Sequence, residues 1–139
     1  MTTDRRALLV DRARAAYDAY NRRDWDGFFA HLDADYEFVP VEEGVAYRGR
    51  EEVIGYQDQW LSVWDEFVVE VTEVELARDG SRVFVALRYR GTARGGGPKL
   101  DGRFFHVGEV RNDTYVRTTE YVDEHEARRA AGLSGPPEE

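Results

Sequence analysis

In RFFHVGEVRNDTYVRTTEYVD, residues 103–123, the imidazole of His106 and the carboxylate of Glu120 sit on two β-rich runs joined at Asn112-Asp113. Strand alternation sends every second side chain to the same face. Phe104, His106, Gly108 and Val110 therefore form one row, and Val116, Thr118, Glu120 and Val122 another. Both rows are otherwise small or apolar, so facing inward they would line a pocket. A histidine titrates near neutral pH, and an apolar setting raises a carboxylate's pKa, so this pair could move a proton at physiological pH. The competing reading makes His106 a wall histidine bonded to a neighbour and Glu120 the ion-pair partner of Arg88 or Arg117.

The remaining reactive residues offer less. Arg88 and Arg90 in RVFVALRYRG share a face with Phe84 and Ala86, while Val83, Val85, Leu87 and Tyr89 share the other. With the valine row inward, both arginines are solvated. His31, His106 and His125 fall on separate elements without zinc-ligand spacing, so no metal is expected. Gly95-Gly96-Gly97-Pro98-Lys99 lacks the framing of a phosphate-binding loop and reads as a turn. No serine lies in a nucleophile elbow. The aromatic residues Trp25, Phe28, Tyr36, Phe38, Tyr56, Trp60, Trp64 and Phe104 are in the first place core. Tyr56, Trp60 and Trp64 nevertheless bring more bulk than one helical stripe needs, enough to line an apolar pocket for a flat ligand.

These residues must be positioned by a recognisable order of elements. Thr3 or Asp4 caps a first helix to about Asn21, with Leu9, Ala13, Ala16, Tyr17 and Tyr20 near helical spacing. After the break at 21–24, Asp24 caps a second helix carrying Trp25, Phe28, Phe29 and Leu32. Residues 36–41, YEFVPV, form a short strand with Pro40 at its edge or end. A third helix starts at the acidic turn Glu51-Glu52 and ends near Asp65. The period then changes to two: four runs from Phe67 onward form an antiparallel meander, with hairpin residues Asp79-Gly80 and a longer, mobile turn over 92–102. Asp123 with Glu126 opens a short helix that stops at Gly132, and residues 134–139 are a flexible tail.

A chain of 139 residues with 42% hydrophobic and 13% aromatic content is expected to form one domain with a real core. Its net charge of −9 opposes nucleic-acid and anionic-membrane partners. There is no cysteine, and the first apolar run, Leu8-Leu9-Val10, is broken at once by Asp11 and Arg12. The expected setting is cytoplasmic.

Taken together, YDAYNRRDWDGFFAHLDADYEF, YRGREEVIGYQDQW and VRTTEYVDEHEARRAAGL, in this order, resemble the SnoaL-like branch of the nuclear-transport-factor-2-like superfamily, which holds polyketide cyclases and relatives of ketosteroid isomerase. The resemblance covers about residues 5–133. It implies an α+β fold in which a cone-shaped, curved antiparallel sheet carries three N-terminal helices on its concave face and a short C-terminal helix. It further implies cofactor-free acid–base chemistry on an apolar carbonyl-containing or polycyclic metabolite. In polyketide cyclases of this branch, a histidine on the penultimate strand and an acid on the last line the pocket. His106 and Glu120 match those positions, with Glu in place of the usual Asp. The pocket would be shaped by Tyr17, Tyr20, Phe38, Tyr56, Trp60, Trp64 and Phe104. The ketosteroid isomerase pattern is not retained, because its tyrosine, base and neutral acid fall on Ala16, Pro40 and His106. The Asp-Arg-Asp spacing of the superfamily's epoxide hydrolases is also missing. A homodimer is expected through the outer sheet face, where Phe105, Val107, Tyr115 and Tyr121 are more apolar than solvent requires. The alternative function is a non-catalytic ligand-binding or dimerisation module of the same fold.

Overall fold

The computed structural model describes residues 2–41 and 44–133; the tail expected at 134–139 lies outside them. Helix α1 (Thr3–Asn21) starts one residue earlier than expected, because the Thr2 side chain accepts from the Arg5 N–H at 3.2 Å. It buries Leu9, Ala13, Ala19 and Tyr20. The break after it is turned by Arg23 in the left-handed region, at φ 58°. Asp24 then caps α2 (Trp25–Phe29) by accepting from the Gly27 N–H at 3.0 Å. This helix is shorter than its aromatic spacing suggests, since Leu32 already belongs to β1 (Leu32–Val39). Pro40 follows directly and ends that strand, as an imino acid without a ladder donor should.

After the two-residue strand β2 (Tyr47–Arg48), helix α3 (Gly49–Leu61) ends earlier than the expected Asp65, and Trp64 opens β3 (Trp64–Leu76). Strands β4 (Arg82–Ala93), β5 (Lys99–Arg111) and β6 (Thr114–Tyr121) complete the sheet in the order β2-β1-β6-β5-β4-β3. The β4–β5 connection is tighter than expected, because both strands extend into the region read as a long turn and leave only a 3-10 turn (Arg94–Gly96) and its flanks. The β5–β6 turn needs φ > 0 at both central residues, and Asn112 and Asp113 supply 52° and 61°. The sheet is mixed rather than wholly antiparallel: β1 joins β6 in parallel, Phe38 opposite Thr118. A chain that leaves β1 for α3 and a four-strand meander returns to β1 along β6, and that path fixes the parallel pairing. Bulges at 71–73 and 109–110 add curvature.

The meander has two faces with different coverings. Val83, Val85, Leu87 and Tyr89 point inward to the helices and share a cluster with Leu9, Ala13, Tyr20, Phe67 and Val69. The opposite row, Phe84, Ala86, Phe105 and Val107, is covered by α4 (Glu124–Ala130) through Ala127 and Ala131. Asp123 caps α4 by accepting from the Glu126 N–H at 3.0 Å, and Arg128 holds it down over the Phe84 ring with an ion pair to Glu75 at 2.9 Å. The apolar outer row expected to mediate dimerisation therefore already has a covering from its own chain. Tyr115 does not belong to that row at all. The bulge between Glu109 and Val110 leaves Val116 out of register and turns Tyr115 inward, where its hydroxyl donates to the Leu9 carbonyl at 2.9 Å. At the other end of the expected inner row, Val122 lies past the last residue of β6 and is exposed.

Phe84 is fully buried beneath α4. Its truncation to alanine would leave a cavity between sheet and helix and is expected to cost about 3–5 kcal/mol, read as a fall in the urea midpoint with an unchanged slope.

Candidate functional site

Strand pairing brings the two sequence-identified groups together, since His106 stands opposite Glu120 in the β5–β6 ladder and both face the helices. His106 Nε2 lies 3.1 Å from Glu120 Oε2. Two further residues complete a chain of hydrogen bonds. Tyr17 of α1 places its hydroxyl 2.7 Å from His106 Nδ1. Tyr89 of β4 donates to Glu120 Oε2 at 2.5 Å and stands 2.9 Å from His106 Nε2. Among the described residues Glu120 Oε1 receives only the Val41 backbone N–H, at 3.4 Å. Neither arginine considered as a partner for Glu120 reaches it. Arg88 points outward and holds Asp101 with two bonds, of 2.7 and 2.8 Å, and Arg117 lies beside Glu37 and Glu109. Arg90, also outward, faces Glu70.

The partners dictate where the protons sit. Tyr89 uses its single proton on Glu120, so its oxygen is an acceptor toward His106. Nε2 then faces two acceptors and carries a proton. Nδ1 faces a hydroxyl that can donate or accept, so the imidazole can hold one proton or two without losing a partner. Burial is the largest single influence on the Glu120 carboxyl and pushes its pKa up. The hydrogen bond and attraction of His106, the Tyr89 hydrogen bond and the Val41 N–H together outweigh it, and the net result lies below the ordinary carboxylate value. This corrects the expectation of a raised carboxylate, which counted the apolar walls but not the three donors. Tyr89 is pushed the other way, first by burial and then by the adjacent Glu120 charge, and Tyr17 is raised mainly by burial. Both remain neutral phenols at physiological pH.

The network opens into a cavity of about 100 Å³ between sheet and helices. Tyr17, Tyr20, Phe38, Tyr56, Trp60 and Phe104 line it with His106 and Glu120. Trp64 does not. It stacks on Phe67, with ring centroids 5.9 Å apart, behind the wall, and its buried indole N–H has no hydrogen-bond partner among the described residues. It opens β3 rather than closing α3, so the helical spacing that would have aimed it at the pocket does not apply. The sequence reading left Tyr89 and Gln57 out of the pocket, and Tyr115, which it placed on the outer face, also lines it. Tyr89 stands in the inward row with Val83, Val85 and Leu87, and its parity could have found it. Gln57 sits one turn after Val53 on the buried face of α3, and a lone amide at that spacing was the available signal. The volume falls below the roughly 300–1,000 Å³ of sites for drug-sized ligands, so the cavity as it stands matches a ligand of about one ring. Among the described residues no group of three or more His, Asp or Glu could hold a metal ion, and no helix is long and apolar enough to cross a membrane.

Comparison with known proteins places this geometry in a family. No curated protein matches the chain significantly. Solved structures do match. An NTF2-like protein of unknown function from Burkholderia pseudomallei shares 25% identity with a TM-score of 0.74, over 89% of this chain and 97% of that one. TerC, crystallised with polyporic acid, shares 19% identity with a TM-score of 0.74, over 88% and 98%. A putative SnoaL-like polyketide cyclase from Jannaschia sp. CCS1 shares 17% identity with a TM-score of 0.74, over 94% of each chain. The last two likenesses speak for the fold alone. The profile of the SnoaL-like domain matches residues 13–118, a span that runs from within α1 into β6 and contains Tyr17, Tyr89 and His106, and on that match the chain belongs to the SnoaL-like domain family.

Proposed function

We propose that the protein is a small-molecule enzyme that performs acid–base chemistry with its own side chains on a compact, apolar carbonyl compound. The observation that carries this reading is Glu120: an ionised carboxylate, clamped at Oε2 by His106 and Tyr89, with Oε1 held among the described residues by one long bond, on the wall of an apolar cavity. A carboxylate so placed is a general base. It takes a proton from the carbon next to the carbonyl, the C–H electron pair becomes the double bond of an enolate, and the carbonyl π pair moves to oxygen. Reprotonation at the same or another carbon gives exchange or isomerisation, and attack of the enolate carbon on a second carbonyl gives ring closure. His106 holds the base in place through its Nε2–H, and the proton that Glu120 has taken goes back from the same carboxyl to carbon or, in ring closure, to the new alkoxide oxygen. A pure binding module would have no use for a buried base whose ionised state three donors sustain. The cavity volume favours the small carbonyl compound over a polycyclic one.

Proton abstraction can be tested without knowing the natural substrate. Small enolisable ketones such as acetophenone, incubated with the protein in D₂O, are expected to lose their α-proton NMR signal faster than in buffer. A rate equal to that of buffer for every ketone that demonstrably enters the cavity would refute the enzymatic reading and leave the binding module.

A further inference from the structure

Gln57 is more than nine-tenths buried on the cavity wall, on the helix that faces the sheet. Its Oε1 accepts from the Tyr20 hydroxyl at 2.7 Å. The tyrosine donates this bond, which orients the amide with Nε2 free among the described residues. The two Nε2 hydrogens have no partner among the described residues, although the amide stands among aromatic and aliphatic walls. An unpaired donor on a cavity wall is open to an acceptor that a ligand brings. Among the described residues no lysine or arginine lines the cavity, and Glu120 brings a negative charge to it. An anionic ligand would meet repulsion and no counter-ion.

We propose that Gln57 is the carbonyl-recognition residue of this site: its free amide N–H groups receive the oxygen of a neutral, single-ring ketone or aldehyde. This deepens the reading of Glu120 as base, because an oxygen held at Gln57 meets fixed donors as enolate charge develops on it. The proton that Tyr20 gives to Oε1 orients the amide with Nε2 away from the phenol. The aromatic wall then accounts for the ring, and the volume limits it to one.

The probes are acetophenone and α-methylstyrene, which has the same shape with CH₂ in place of the oxygen. NMR titration of the wild-type chain is expected to show acetophenone bound about tenfold more tightly, with the side-chain amide protons of Gln57 shifting as it binds. Gln57→Leu is expected to bring the ratio to about one without weakening α-methylstyrene. Gln57→Met, unbranched and close in volume, gives the same readout should the leucine variant fold poorly. A tenfold preference that survives both substitutions, or a wild type with no preference, overturns the proposal. Its failure is separable from failure of the Glu120 reading. Glu120→Gln should keep the preference while losing proton exchange, and a wild type that shows the preference but no exchange would uphold Gln57 and dismiss the base.

Discussion

Glu120→Gln is expected to lower ketone α-proton exchange by about 10²–10⁴-fold, the range contributed by a positioned general base, while the protein still folds. The amide can keep the geometry of the site: its oxygen accepts from Tyr89 at the position now held by Oε2, 2.5 Å away. What disappears is basicity. The loss should fall on the chemical step, with acetophenone affinity changed by much less than the rate. A structural role for Glu120 would give the opposite pattern, with a lower unfolding midpoint and a rate loss no greater than the loss of folded protein. Circular dichroism on the same samples used for exchange separates the two.

His106→Leu is expected to be the most damaging single change to stability among the site residues. The imidazole bonds Tyr17 and Glu120 and faces Tyr89, and only 7% of its side chain is exposed. Leucine would leave the Tyr17 hydroxyl without its partner and an 11% exposed carboxylate with less support. Leaving a buried group without its hydrogen-bond partner typically costs about 1–3 kcal/mol, and more where the group is charged, so a loss of about 3–5 kcal/mol is expected at pH 7 for the Tyr17 hydroxyl and the Glu120 carboxylate together. The pH dependence has a definite sign. In the wild type the folded Glu120 pKa is depressed, so its contribution to stability is present above the unfolded value of about 4.3 and is lost as pH falls through the lower folded value. Without His106 the largest influence left on the carboxyl is burial, which raises it. The variant then carries a destabilising ionised carboxylate at neutral pH, and this is relieved as pH falls and the group protonates. The stability gap between wild type and variant should therefore narrow from pH 7 toward pH 4 in urea unfolding. A gap that is constant with pH would mean that the leucine acts through packing alone.

The sequence made the fold legible because its signals were local and consistent. Period-two runs, the Asn112-Asp113 turn, the caps at Asp24 and Asp123 and the aromatic faces of α1 and α3 all point to one architecture. Parity alone put His106 and Glu120 on the same wall, and the ladder bears that out residue for residue. What could not be read were features decided by distant pairing. The parallel β1–β6 contact and the bulge that turns Tyr115 inward depend on strands brought together only by the folded chain. The end of α3 moved because Trp64 and its neighbours pair with β4, and that ladder overrides helical spacing. The sign of the Glu120 shift failed for the same reason: one of its donors comes from a different strand, Tyr89, and another from the loop after β1, Val41. Tyr89 and Gln57 were visible in spacing but carried no charge to attract notice.

The most direct test of the account is the titration of Glu120 itself, followed by its ¹³C carboxyl resonance in protein labelled at glutamate and assigned by comparison with Glu120→Gln. The account predicts a midpoint below about 4.3 in the free protein and a displaced resonance when acetophenone fills the cavity. A carboxyl that is still protonated at neutral pH, or one whose signal ignores the ketone, would contradict it.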